Sequence, residues 1–417
     1  MLRKALSMLA GLAVIAAVSG CSGSAADTKV QLTFALWDAS MKPSEEQIIR
    51  DFEKENPGIT VQIQLTPWDQ YWQKLKAAAS GGEAPDVMWM NAPNFQLYAS
   101  NGMLLPLSKY IDRDSVDMGV YAKAVTDSFV LKGEQYGMPR DNTTIGLWYN
   151  KTLFDAAGVK YPTDDWTWAD ARAAAAKLTN KSTGTYGIAA ALNSQSNFYN
   201  TIAQAGGYVI SPDGQHSGYD DPASVEGIAY WTDFIAAGHS PTLQQMTDTE
   251  PLQLFQSGKV AMMYGGNWLA GTFAKTDTAK KFDVAALPAG KKRATISTGL
   301  AEAISAKTKH PDAAWKLVEF MGRKEAAQTR AESGTVIPAY SSQAQGWVSS
   351  VPQYHLQSLV DQIAVAVPYP VSKNTDAWAA EEPKILGEAW SGKQTPLAAA
   401  QRMATTMNEA LKAEQAR

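Results

Sequence analysis

The chain of 417 residues has one cysteine and four histidines. A lone thiol excludes an intrachain disulfide, a Cys-based metal site and a dithiol redox pair. His216, His239, His310 and His355 are far apart in sequence, and none stands at metal-ligand spacing from another. The oxygen-rich segment Ser211–Pro222 lacks the spacing of an EF-hand loop; it reads as a turn at Asp213-Gly214 before a helix starting near Pro222. No metal or other cofactor is expected. Also missing are His-Glu-x-x-His, Gly-x-Ser-x-Gly, a phosphate-cradling Gly-Lys-Ser/Thr loop and a dinucleotide fingerprint. The 41 acidic residues could supply a glycosidase-like carboxylate pair, but surface carboxylates are the default, so the chain does not read as an enzyme. There is no cationic excess. The formal net charge is −4, and it becomes −6 if Arg3 and Lys4 are removed. Phosphate binding needs clustered Lys and Arg, so no nucleic-acid partner is expected.

What is present begins at the N-terminus. Arg3 and Lys4 precede an almost uncharged run, Ala5 to Val18, which falls short of the roughly 20 apolar residues a membrane-spanning helix needs. The run ends in Val18-Ser19-Gly20-Cys21. Small residues before a cysteine resemble the lipobox of bacterial lipoproteins, which implies cleavage of residues 1–20 and acylation of Cys21. Dual or triple acylation would hold the mature chain at a membrane surface, because each buried CH₂ contributes about 0.8 kcal/mol. The alternative is an ordinary cleaved signal with an incidental cysteine. Residues 21–29 are mostly small and polar and read as a tether. No later run of about 18 apolar residues suggests a membrane span.

The remaining chain is longer than one core usually fills, so two lobes are expected. Leu32, Phe34 and Leu36 alternate as a strand, and Ile48, Ile49 and Phe52 share a helical face before Pro57-Gly58. Ile59, Val61, Ile63 and Leu65 alternate again, Trp68 to Ser80 reads as a helix, and Pro85 to Met90 as a third strand. This order implies a parallel sheet with ligands bound beyond the carboxyl ends of its strands. Those ends carry Trp37 and Asp38, then Trp89 to Asn91. The chain also holds 13 Trp and 16 Tyr; such flat faces fill a core, and they also suit the apolar faces of sugar rings.

The strings "GITVQIQL", "YWQKLKAAASGGEAPDVMWMNAPNFQLYASNGMLLPL", "YGMPRDNTTIGLWYNKTLFDAAGV", "FQSGKVAMMYGGNWLAG" and "STGLAEAISAKTKHPDAAWKLVEFM" follow in order. Together they resemble the extracellular solute-binding proteins of ABC importers, in the carbohydrate-binding group that includes maltose-binding protein. The resemblance implies an α/β, two-lobed periplasmic-binding-protein fold (type II), each lobe a mainly parallel sheet flanked by helices, with the ligand cleft at the hinge. It places residues 30–139 and 296–336 in lobe one and 140–295 and 338–417 in lobe two. The crossings fall near Met138 to Asn142, Ala294 to Thr298 and Thr335 to Ala339. The implied function is that of a lipid-anchored extracytoplasmic monomer that captures a sugar or short oligosaccharide and delivers it to an ABC transporter permease. Family members also carry glycerol phosphodiesters, opines or polyamines, and a receptor feeding a sensor would share these features.

The resemblance also nominates ligand-binding residues. Trp268 in "GGNWLAG" stands where relatives present a stacking Trp, the alternative being a core or turn residue. Trp37, Asp38, Trp89 and Asn91 follow strand ends, and alternation turns only some of Trp89, Met90 and Asn91 inward. Asp141 and Asn142 sit where relatives hydrogen-bond a hydroxyl, and a carboxylate can accept from two adjacent hydroxyls. Asn197 reads as a lobe-two contact or a helix cap, and Trp378 as a sugar contact or a core anchor. Arg140 is open to three readings: salt-bridge partner, solvated residue or anion ligand. Glu302 stands where relatives more often carry an uncharged side chain.

Overall fold

The computed structural model describes residues 29–415, so Cys21, the signal segment and most of the tether lie outside the described residues. Strand β1 (Val30–Leu36) buries Leu32, Phe34 and Leu36. Helix α1 (Lys42–Glu55) starts with Pro43 in its first turn, where the missing N–H costs nothing, and buries Ile48, Ile49 and Phe52. Strand β2 (Ile59–Leu65) pairs in parallel with β1 along its whole length. Helix α2 (Trp68–Gly81) is terminated by Gly82 at φ 78°, a left-handed conformation that favours glycine. Strand β3 (Val87–Asn91) is wholly buried and also parallel to β1. Asn91 then caps helix α3 (Ala92–Ser100), its side chain accepting from the Asn94 N–H.

These strands form one half of a six-stranded sheet. Beyond β3 come Leu300–Ile304, Gly137–Asn142 and Ile337–Pro338, each antiparallel to its neighbour. A second sheet takes Ile145–Asn150 at its centre, flanked by Met262–Gly266 and Phe282–Ala286. Both of its pairings are antiparallel, so this sheet departs from the mainly parallel one expected for lobe two. The reason lies in the connections. More than a hundred residues of helix and loop separate Asn150 from Met262, so no β-α-β crossover dictates the strand sense.

The chain passes between the sheets at Thr143-Thr144, since Asn142 ends a strand of the first and Ile145 opens a strand of the second. This lies just past Met138 to Asn142, which stays in the large sheet: Pro139 is accommodated beside a β-bulge opposite Ala301. The second passage is at Thr298-Gly299, between Thr295–Ser297, which pairs with Ala366–Pro368, and Leu300 of the large sheet. The third follows Ile337–Pro338. One core gathers Leu32, Phe34, Phe95 and Leu317; another gathers Leu147, Trp231 and Met403 of the C-terminal helix Pro396–Gln415. Among the described residues no helix is long and apolar enough to cross a membrane.

Candidate functional site

A cavity of about 620 Å³ lies between the two sheets and their helices, within the size range of small-molecule sites. Seven of the 13 tryptophans are fully buried, so most of that aromatic density is core. Of the other six, Trp37, Trp68, Trp72 and Trp268 line the cavity.

Trp37 is the hub of the lobe-one wall. Trp68, Tyr71 and Trp89 meet its ring edge-on, with centroids 5.2, 4.9 and 5.1 Å away, and Trp72 meets it tilted at 5.6 Å. These are favoured quadrupole geometries, and they immobilise the indole before any ligand arrives. Trp68, at the first turn of α2, is 49% exposed at the cavity edge. Asp38 and Asn91 complete this side. Asn91 Oδ1 is occupied by Asn94, accepting from its backbone and side chain at 3.2 and 2.9 Å, so its amide nitrogen is the group it can offer.

Trp268 faces this wall from lobe two, just after the strand ending at Gly266. An added Cβ at Gly266 would overlap the indole ring, so glycine is what lets the ring lie against the strand end. Asn267 beside it is buried and ties to the first crossing, accepting from Thr144 N–H at 3.3 Å and donating to Asn142 C=O at 3.4 Å. A single π-helical turn, Ser194–Phe198, brings Ser194 and Gln195 to the same wall, and Tyr369 joins Ser194 hydroxyl to hydroxyl at 3.1 Å.

Asp141 forms the floor. Its Oδ1 accepts from Leu300 N–H at 3.0 Å and its Oδ2 from Arg140 Nη1. Burial pushes this carboxyl up, against the pull of Arg140 and Arg330. Behind it lies a buried ion cluster. Arg140 also donates to Glu45 at 2.7 Å, and Arg330 donates to Glu45 at 3.0 Å and to Glu302 at 2.8 Å. Burial raises Glu45, but the two arginines outweigh it and hold the carboxyl below the usual range; for Glu302 burial wins and the carboxyl is pushed up. Arg140 is thus a buried salt-bridge partner, and Glu302 balances Arg330. Among the described residues no group of three or more His, Cys, Asp or Glu is placed to hold a metal ion.

Trp37, Asp38, Asn91, Asp141 and Trp268 all stand on the cavity wall. Four other nominated residues do not. Trp89 is fully buried in the core, where it packs on Phe34 and Trp37. Asn142 points across the crossing and accepts from Ser297 Oγ at 3.0 Å. Asn197 is buried within the π-helical turn, whose cap is Asn193. Trp378 is a core anchor that donates to Ser372 Oγ at 2.9 Å, while Asp376, two residues earlier, reaches the cavity. Trp68 and Trp72 escaped notice because an i, i+4 aromatic pair on an amphipathic helix also reads as core; their position just past the carboxyl end of β2 was the available signal.

Residues 38–328 match the family described as bacterial extracellular solute-binding protein. The maltodextrin-binding protein of Bacillus subtilis is 26% identical over 424 residues, spanning 99% of this chain and 98% of its own. An ABC substrate-binding protein of Listeria monocytogenes, solved in complex with cycloalternan, is similar with a TM-score of 0.86 at 29% identity, covering 92% of this chain and 99% of the other. The GacH receptor of Streptomyces glaucescens, solved unliganded and with acarbose, gives 0.80 at 26% identity, covering 92% and 99%. On the family match across most of its length, supported by these likenesses, the chain belongs to the bacterial extracellular solute-binding proteins.

Proposed function

We propose that this protein is the sugar receptor of an ABC importer: it captures a sugar or short oligosaccharide between its lobes and presents it to the permease. The observation that carries this reading is the pairing of an indole wall, Trp37, Trp68 and Trp72, with Trp268 opposite and the Asp141 carboxylate on the floor. Indole faces take the C–H faces of pyranose rings, and a carboxylate accepts from adjacent hydroxyls. Among the described residues no Lys, Arg or His lines the cavity, and Arg140 beneath the floor is already paired, which disfavours phosphorylated and uronate solutes. The names of the Bacillus subtilis and Listeria relatives point the same way.

Capture works by differential affinity: a ligand touching both walls favours the closed arrangement by what it gains from the second wall. Closure about the crossings at Thr143 and Thr298 displaces water, so hydroxyl hydrogen bonds face less competition. The protein acts as a monomer without catalysis, and acylated Cys21 holds it at the outer face of the cell membrane beside its permease.

The test is a thermal-midpoint screen of the mature chain against maltose, maltotriose, cyclic and branched oligosaccharides, sugar phosphates, opines and polyamines. A ligand of the native state alone adds about 2.7 kcal/mol at a hundredfold excess over Kd. A shift confined to saccharides is the expected result; a shift confined to polyamines or anions would overturn the sugar assignment.

A further inference from the structure

The strand Gly137–Asn142 carries a β-bulge: Leu300 pairs with Asp141 and Ala301 with Pro139, leaving Arg140 as the extra residue. A bulge breaks strict alternation and re-aims side chains. Here Asp141 reaches the cavity while Arg140, 1% exposed, turns into lobe one. We infer that Arg140 is the positioning residue for the Asp141 carboxylate, and that Trp89 holds Arg140 in the orientation from which it can act.

The guanidinium is constrained by its neighbours. Its carbon lies 4.2 Å over the Trp89 ring, Nη1 donates to Asp141, and Nη2 donates to Glu45 at 2.7 Å and faces Met41 Sδ at 3.6 Å. Glu45, on α1, is itself pinned by Arg330 of the helix Lys324–Glu332, and Glu302 of the strand Leu300–Ile304 stands 3.6 Å from Arg140 Nε. Tyr121 lies near Glu302, and burial and then that carboxylate raise its phenol, while Asp38 and Asp376 line the same cavity as Asp141. A planar fork held this way presents its donors at fixed angles, which an ammonium could not do. With Leu300 N–H on one oxygen and Arg140 on the other, Asp141 has one orientation and keeps a lone pair on each oxygen for the cavity. The same Trp89 packs under Trp37, so one buried indole supports both the aromatic wall and the polar floor.

The inference rests on the sugar reading for its affinity arm only. Carboxyl-¹³C aspartate is introduced into the mature chain, Asp141 is assigned with Asp141→Asn, and its titration is followed in the wild type, Arg140→Lys, Arg140→Met and Trp89→Phe. In parallel, maltotriose is titrated calorimetrically at pH 6 and pH 8. Loss of the cation leaves only Arg330 and the Leu300 N–H to oppose burial, so Arg140→Met is expected to raise the Asp141 midpoint by a unit or more. It should weaken maltotriose at least tenfold at pH 6, with partial recovery at pH 8 as Asp141 ionises. Arg140→Lys should keep most of the midpoint but lose affinity at both pH values, because one ammonium cannot serve Glu45 and Asp141 in the same geometry. An unmoved Asp141 midpoint in folded Arg140→Met, or equal losses of affinity at pH 6 and pH 8 in that same variant, would overturn the inference. If Arg140→Met does not fold, Trp89→Phe decides: a raised midpoint supports the positioning role and an unchanged one sinks it. A wild type blind to maltotriose counts against that sugar, while the Asp141 midpoint still decides the role of Arg140.

Discussion

The hydroxyls of Thr143 and Thr298 lie 2.8 Å apart, joining the two chain segments that cross between the lobes. Thr143 Oγ1 also accepts from the backbone N–H of Thr298 at 2.8 Å and of Gly299 at 3.3 Å, and Gln195 of lobe two donates to Thr298 at 3.3 Å. The crossings are therefore clasped to each other on the cavity floor.

Removing the Thr143 hydroxyl orphans buried backbone donors. Thr143→Val keeps the shape and is expected to cost about 1–3 kcal/mol of stability, read as a drop in urea midpoint at constant m. Thr143→Ser should recover most of it; a silent Thr143→Val would mean the clasp is idle.

Gly266→Ala tests the Trp268 platform without touching the indole. The new methyl must displace the ring, so saccharide affinity should fall by about as much as in Trp268→Ala, about 1–3 kcal/mol for lost stacking and buried area. Calorimetry on the two variants and the double variant checks it. Additive losses would show that the glycine acts elsewhere.

Glu382 sets a pH signature in lobe two. Burial pushes its carboxyl to about 7 despite hydrogen bonds from Tyr199 and Tyr219. A carboxyl raised on folding binds its proton more tightly in the native than in the unfolded chain. Its contribution is therefore full below the unfolded value near 4.5 and is lost as pH rises through about 7. The loss amounts to about 3 kcal/mol. Glu382→Gln should flatten that part of the profile and be the more stable protein at pH 8, as thermal midpoints between pH 4 and 8 would show.

Trp68→Ala should leave stability within about 0.5 kcal/mol, because the residue is half exposed. It should nonetheless weaken oligosaccharides more than monosaccharides, because Trp68 sits at the cavity edge. Equal losses across chain lengths would place it under the first ring instead.

Cys21→Ser should release the protein from the membrane fraction into the medium or periplasm, and mass spectrometry of the wild type should find acyl chains on the mature N-terminus. A wild-type mature N-terminus without acyl chains would sink the lipid anchor.

Much of lobe one could be read from residues alone, because β1 and β2 alternate and α1 ends at a clear Pro-Gly stop. The same logic led to Trp37, Asp38 and Asn91, which follow strand ends and line the cavity. Trp89 shows where it fails: on a fully buried strand both faces are apolar, and nothing in residue type tells wall from core. The lobe-two wall was less accessible still. Ser194 and Gln195 come from a π-helical turn, and Asp376 from a short helix whose neighbour Trp378 carries the stronger aromatic signal but packs inward. The antiparallel second sheet was hidden by the length of chain between its strands.

The asymmetry of the cleft has a kinetic consequence. Three of its four indoles belong to lobe one, where they are preassembled around Trp37. On the proposed capture mechanism encounter is governed by lobe one, and changes there are expected to alter the association rate constant. On the same reading Trp268, Gln195 and Tyr369, which line the opposite wall, would engage a solute already docked and so govern its residence time, the interval within which a permease must find the loaded receptor.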